Sequence, residues 1–176
     1  MQKYILRNKL KKIYKKKSGK NHFLNWKDIH AILVLFDTAY FEEAANFINQ
    51  LINAGKKPTV YAYKRKNDKR DYSNLDYHIL SEKEAKRWLG SPIYTIADKL
   101  KKERFDAVID LTICQNISLE YLLACAHASI KTGLKKNDFP QYDLAITNLA
   151  IGEANRFRVS ELGKQIVYYL NKIQAG

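Results

Sequence analysis

The apolar positions of the chain follow two periods. Leu6, Leu10, Ile13 and Tyr14 recur at the spacing of one helix face, with Lys9, Lys12 and Lys16 opposite them and Ser18-Gly19 as a stop. Residues 31–36 are a continuous apolar run, as expected of a strand buried on both faces. From 41 to 54 the apolar residues fall at 41, 44, 45, 48, 51 and 52, a helical stripe closed by Gly55. Residues 59–63, after Pro58, are β-branched and aromatic and predict a strand. A charged loop follows over 64–74, then a short strand over 77–80. Ser81-Glu-Lys-Glu84 has the form of a capping box and predicts a helix through Leu89, broken by Gly90-Ser-Pro92. The remaining pattern predicts a helix over 94–103, a strand over 105–111 and a helix over 118–127. Strands over 129–133 and 142–146 and a C-terminal helix over 158–173 complete it.

Strands that alternate with helices predict an α/β fold: a single Rossmann-like domain with a mostly parallel sheet and a basic N-terminal helix. The doubly wound order places the first strand beside the strand at 105–111. We divide the chain into a basic amphipathic arm, 1–21, and an α/β domain, 22–176.

Composition adds one extreme value. A hydrophobic share of 46%, with three Pro and seven Gly, is that of an ordinary globular chain, but the net charge is +13. Nine of the 31 Lys and Arg, and none of the 18 acids, fall within residues 1–21. Such asymmetry points to an anionic partner. Three readings fit the arm: its stripe docks on the body and leaves a solvated basic face, it neutralises RNA phosphates, or it lies on anionic lipid. The stripe is short and lacks Trp and Phe, which weakens the membrane reading. A second cluster, Lys56, Lys57, Lys64, Arg65, Lys66, Lys69 and Arg70, is opposed only by Asp68 and interleaved with Tyr61, Tyr63 and Tyr72. Those rings could stack on bases or simply pack. The expected RNA contacts are Lys9, Lys11, Lys12, Lys15, Lys16 and Lys17 from the arm and Lys64, Arg65, Lys66, Lys69 and Arg70 from the cluster. The partner expected is RNA or the ribosome.

No complete catalytic motif is present, so the chain reads as a non-enzymatic protein with no cofactor and no metal. Cys114 and Cys125 lack the spacing and companions of a zinc site. Each lies in an apolar run and reads as a buried free thiol, which suits a cytoplasmic location. No secretory h-region follows the basic N-terminus, and the apolar run at 31–36 is too short to span a bilayer. Ligands of open α/β sheets sit past the strand ends, here Phe36-Asp37-Thr38 and Asp110-Leu-Thr112. A dinucleotide would need glycines after the first strand, yet none lies between residues 20 and 54. Asp37, Glu42 and Glu43 would repel a phosphate and read instead as helix-terminus acids. Asp37 and Asp110 could face each other as a carboxylate pair, with Thr112, Gln115, Asn116 and Ser118 nearby. The alternative function is therefore a small-molecule or nucleotide-sugar site lined by Asp37, Asp110, Thr112 and Asn116. Asn116 or Ser118 also reads as the cap of the following helix. His22, His30, His78 and His127 have no ligand spacing, and His127 reads as an interior or boundary residue of its helix. No nucleophile elbow supports a Ser-His-Asp arrangement.

The strand at 105–112 (Phe-Asp-Ala-Val-Ile-Asp-Leu-Thr) and the segment 119–133, with the basic arm and Phe36-Asp37-Thr38, resemble a bacterial family of short single-domain proteins of unknown function. That resemblance implies a fold and no site. The same segment is also similar to part of the N-terminal half of heptosyltransferase-type glycosyltransferases. Those enzymes hold their donor nucleotide largely on a second Rossmann-like domain, for which this chain is too short. The likeness implies a shared half-fold without the activity.

Overall fold

The computed structural model describes residues 2–16, 24–85, 92–136, 141–147 and 158–173. The apolar run after residue 30 is β1 (Ala31–Asp37), and successive side chains leave it on opposite faces. Ile32, Val34 and Phe36 join one core, while Leu33 and Leu35 join the other, which is why the run shows no polar alternation. β2 (Lys57–Lys64) and β4 (Arg104–Asp110) flank β1. β3 (Tyr77–Ser81) lies outside β2, and β5 (His127–Leu134) and β6 (Leu144–Ile146) follow β4. The order is β3-β2-β1-β4-β5-β6, with every neighbouring pair parallel. The expected doubly wound sheet is thus present, with β1 beside β4.

α2 (Phe41–Asn53) and α6 (Val159–Lys172) cover one face through Phe47, Ile48, Leu162, Ile166 and Leu170. α1 (Gln2–Lys16), α3 (Glu82–Ala85), α4 (Pro92–Lys102) and α5 (Ile117–Cys125) cover the other. The arm helix is part of that layer: Leu6, Leu10 and Tyr14 are buried in the same core as Leu119, Leu122 and Leu123 of α5. Local signals fix several boundaries. Gly55, at φ 74°, ends α2 in a Schellman motif: Lys56 N–H donates to Leu51 O and Gly55 N–H to Ile52 O. Ser81 Oγ accepts from the Glu84 N–H at 3.2 Å and Glu84 Oε2 accepts from the Ser81 N–H at 2.9 Å, the reciprocal pair of a capping box.

Four expectations need correction or placement. β2 begins at Lys57 and runs through Pro58, because β3 pairs with β2 only from Val60 and Pro58 stands where that side has no neighbour. α5 ends at Cys125 rather than 127: Ala126 is extended and His127 pairs with Arg104, so His127 is an exposed first residue of β5 and no helix histidine. Cys125 is buried as expected, but Cys114 is exposed, since the chain leaves the sheet at Asp110 and carries Cys114 into the strand-end loop. Ser18, Gly19 and His22, and the end of the helix predicted to Leu89, lie outside the described residues. No described helix is long and apolar enough to cross a membrane.

Candidate functional site at the carboxyl edge of the sheet

The carboxyl ends of β1 and β4 carry Asp37 and Asp110, both buried. They do not form a carboxylate pair, because each is held by its own cation. Asp37 accepts from Arg65 Nε at 2.9 and 3.0 Å and from Ala39 N–H at 2.9 Å, which caps the single 3-10 turn Thr38–Tyr40. Asp110 accepts from Lys136 Nζ at 2.8 Å, from Tyr142 Oη at 2.6 Å, and from the Thr112 hydroxyl and N–H at 2.6 and 2.9 Å. Lys136 also reaches the Thr112 hydroxyl and carbonyl. Tyr142 comes this close because β5 has Gly133 beneath its ring, where a Cβ would lie 2.5 Å from the ring. Of the four residues expected to line a small-molecule site, Asp110 and Thr112 therefore share one network. Asp37 belongs to Arg65, and Asn116 caps α5 by accepting from Ser118 and Leu119 N–H.

Beside this network lies an acid that sequence reasoning missed. Glu120, in the first turn of α5, is 1% exposed, and Gln141 is equally buried. Neither Glu120 oxygen and neither end of the Gln141 amide completes a hydrogen bond of normal geometry among the described residues. Burial pushes the Glu120 pKa up and the Asp110 charge adds to this, while Lys136, Gln115 and Gln141 oppose it. Burial, then Asp110, also raises Tyr142 well above an ordinary phenol. Tyr14, from the last turn of α1, is raised by burial and by the charges of Glu120 and Asp110. Lys131, in β5, is buried too, and donates to the carbonyls of Leu123 and Ala124 at the end of α5, where a cation suits the helix dipole. The readable signal for Glu120 was its setting: Leu119, Tyr121, Leu122 and Leu123 make α5 apolar all round, and a helix of that kind is covered on every side.

The basic residues form two groups, one on the arm helix and one in the loop after β2. In the arm, Lys9, Lys11, Lys12 and Lys15 are exposed, and Lys9 Nζ stands 4.0 Å over the ring of Tyr94 in the first turn of α4. The side chain of Lys16 and all of Lys17 lie outside the described residues. The environment of Tyr14 places the last turn of α1 over the edge that carries Asp110. The second group borders an open cleft of about 540 Å³ lined by Thr38, Ala39, Arg65, Asn67, Asp68, Lys69 and Arg70. Lys66 and Lys69 are exposed, whereas Lys64 is turned inward and donates to Arg70 O at 2.7 Å. Arg70 Nη1 donates to Thr38 O at 2.8 Å, and its guanidinium lies 5.5 Å over Phe41. Burial raises the Asp68 pKa, but the nearby Thr38 hydroxyl, hydrogen bonds from Tyr72 and the Arg70 N–H, and the Arg70 charge outweigh it and hold the group at about 2. The rings offered as base platforms instead pack. Tyr61 is buried and stacks on His78 at 4.4 Å, Tyr72 is buried against Phe41, and Tyr63 is half-buried with its pKa pushed up to about 12, mainly by burial.

The model of a family of unknown function (DUF6913) matches residues 2–173, so that arm and sheet fall within one family unit. No curated protein and no solved structure matches the chain, and the comparisons bring up no heptosyltransferase-type enzyme.

Proposed function

We propose that this chain, which belongs to the family of unknown function DUF6913, is a non-enzymatic cytoplasmic protein that binds RNA, held to ribosomal particles through its basic arm and the Lys64–Arg70 cluster. One observation carries the reading. The arm helix is seated on the body by its apolar stripe, so that Lys9, Lys11, Lys12 and Lys15 stand outward, while the buried acids at the strand ends are paired from within. Asp37 is matched by Arg65, Asp110 by Lys136, and Asp68 by Arg70. The arm itself carries no acid, so its outward lysines present a positive face suited to a phosphate backbone, while Glu42 and Asp71 stay exposed at the strand-end edge. The buried stripe also removes the apolar face that lipid insertion would use.

The first experiment is sedimentation of the protein from lysate on sucrose gradients at low and high salt, with and without RNase. Migration with ribosomal particles that is lost with RNase or salt is the expected outcome. Migration as a free small protein under every condition would refute the reading. A second reading, a small-molecule or nucleotide-sugar site at the strand ends, is favoured by Glu120 and Gln141, two buried groups near Asp110 that complete no hydrogen bond of normal geometry among the described residues. Buried polar groups without partners are uncommon in native proteins, and a ligand is one way to satisfy them.

A further inference from the structure

The cleft between the turn after β1 and the loop after β2 is a more finished object than a solvated basic loop. Two guanidinium groups border it, and each is fixed by one edge only. Arg65 spends Nε on Asp37, and its side chain remains 49% exposed. Arg70 spends Nη1 on the Thr38 carbonyl and, more loosely, the Tyr72 hydroxyl, with 46% of its side chain exposed. Lys69, between them in sequence, is exposed on the same cleft. The loop behind them is tied down throughout. Asp68 N–H donates to Arg65 O, Arg70 N–H to Asp68 Oδ1, Tyr72 Oη to Asp68 Oδ2, Lys66 N–H to Glu82 and Lys64 Nζ to Arg70 O. An Arg fork held in place loses less freedom when it binds than a free side chain does.

Chemistry and position narrow the ligand. Asp37 and Asp68 offset the charges of Arg65 and Arg70, which leaves Lys69 as the surplus cation of the cleft. Both guanidinium groups keep further N–H donors, however, and a phosphate monoester offers three terminal oxygens to three side chains where a diester offers two. Guanidinium groups take phosphate oxygens in pairs. The end of β2 beside the β1 turn is where open α/β sheets of this order hold the ribose of a nucleotide. The start of α2 is unsuited to phosphate, since Glu42 and Glu43 occupy its first turn and Asp37 takes the Ala39 N–H. The charge must therefore come from side chains of the β2–β3 loop. The cleft volume is of the size that holds a small ligand. We infer that this cleft binds a nucleotide carrying a phosphate monoester, with Arg65, Lys69 and Arg70 on the phosphate and Asn67 beside the sugar or base. Resting on the RNA reading, its source is the terminal phosphate of an RNA strand.

The test compares one short single-stranded oligoribonucleotide with a 5′-phosphate, with a 3′-phosphate and with neither, alongside free nucleoside monophosphate, all binding to the full chain. Wild type is expected to prefer one phosphorylated form over the unphosphorylated strand by about tenfold, the value of one charge-assisted contact. Lys69→Ala, Arg70→Lys and Arg65→Gln are expected to remove that preference and leave the general, salt-dependent binding. Lys69→Ala is decisive if Arg65→Gln fails to fold for want of a partner for Asp37. Equal binding of all three strands, or cleft variants that weaken all three alike, would overturn the inference and leave the RNA reading standing. If no strand binds, the RNA reading fails. The cleft then stands only if free nucleoside monophosphate binds and Lys69→Ala abolishes it, and falls otherwise.

Discussion

At the scale of single residues, the carboxyl edge is a set of charges that answer one another, with Glu120 as the exception. Its carboxylate is buried without a hydrogen bond of normal geometry among the described residues, and burial, with Asp110, raises its pKa against the opposing pull of Lys136, Gln115 and Gln141. A carboxyl whose native pKa is raised contributes stability that is whole below the ordinary carboxylate range and is lost as pH rises through the native value. Glu120→Gln keeps the shape of the protonated acid and removes that loss. The variant is expected to melt above wild type at neutral pH, by about 2–4 °C for each kcal/mol relieved, and the two should converge below about pH 4. Thermal melts across pH test this, and a less stable variant at neutral pH would mean that the carboxylate is held by a cation in solution. The strand-end acids were legible in the sequence because strand ends are where such folds place ligands. Their partners were not, since Arg65 and Lys136 come from loops 28 and 26 residues away.

At the scale of elements, a period says what an element is before it says what it touches. The stripe of Leu6, Leu10 and Tyr14 made α1 readable as an amphipathic helix, but its seat was written elsewhere, in the apolar circumference of α5 that needed a cover. The boundary of α5 shows the opposite case. Cys125-Ala-His-Ala carries no breaker, and the helix ends there because the chain must begin pairing with β4 at Arg104, a tertiary demand that local propensity does not record. If α1 is a structural member of the core, Leu10→Ala should destabilise the whole domain by about 2–5 kcal/mol, as a fully buried leucine does. Urea unfolding should remain one transition with a lower midpoint. A variant of unchanged midpoint would mean that the arm is not part of the cooperative unit.

At the scale of the molecule, the net charge of +13 is concentrated along the chain, with nine of the 31 basic residues and no acid within residues 1–21. The order of the sheet was legible because strands and helices alternate, and the placement of charge was not, because sequence alone does not say which loops and helix ends meet. Once α1 is known to be core, deleting it no longer tests RNA binding, since the cut would uncover α5 and unfold or aggregate the body. Exchanging exposed charge avoids that. Lys11, Lys12 and Lys15 point outward with no intramolecular partner described, so replacing all three by Gln should leave the melting temperature within the small range of surface substitutions. Each phosphate contact contributes about −0.7 to the slope of log K against log salt for a single strand. If all three lysines meet phosphates, the triple variant should flatten that slope by about 2, with no change in sequence preference, because backbone contacts carry no sequence information. Salt titrations of both proteins measure it. An unchanged slope with intact folding would place the RNA contacts off the arm and leave its lysines as a solubilising face.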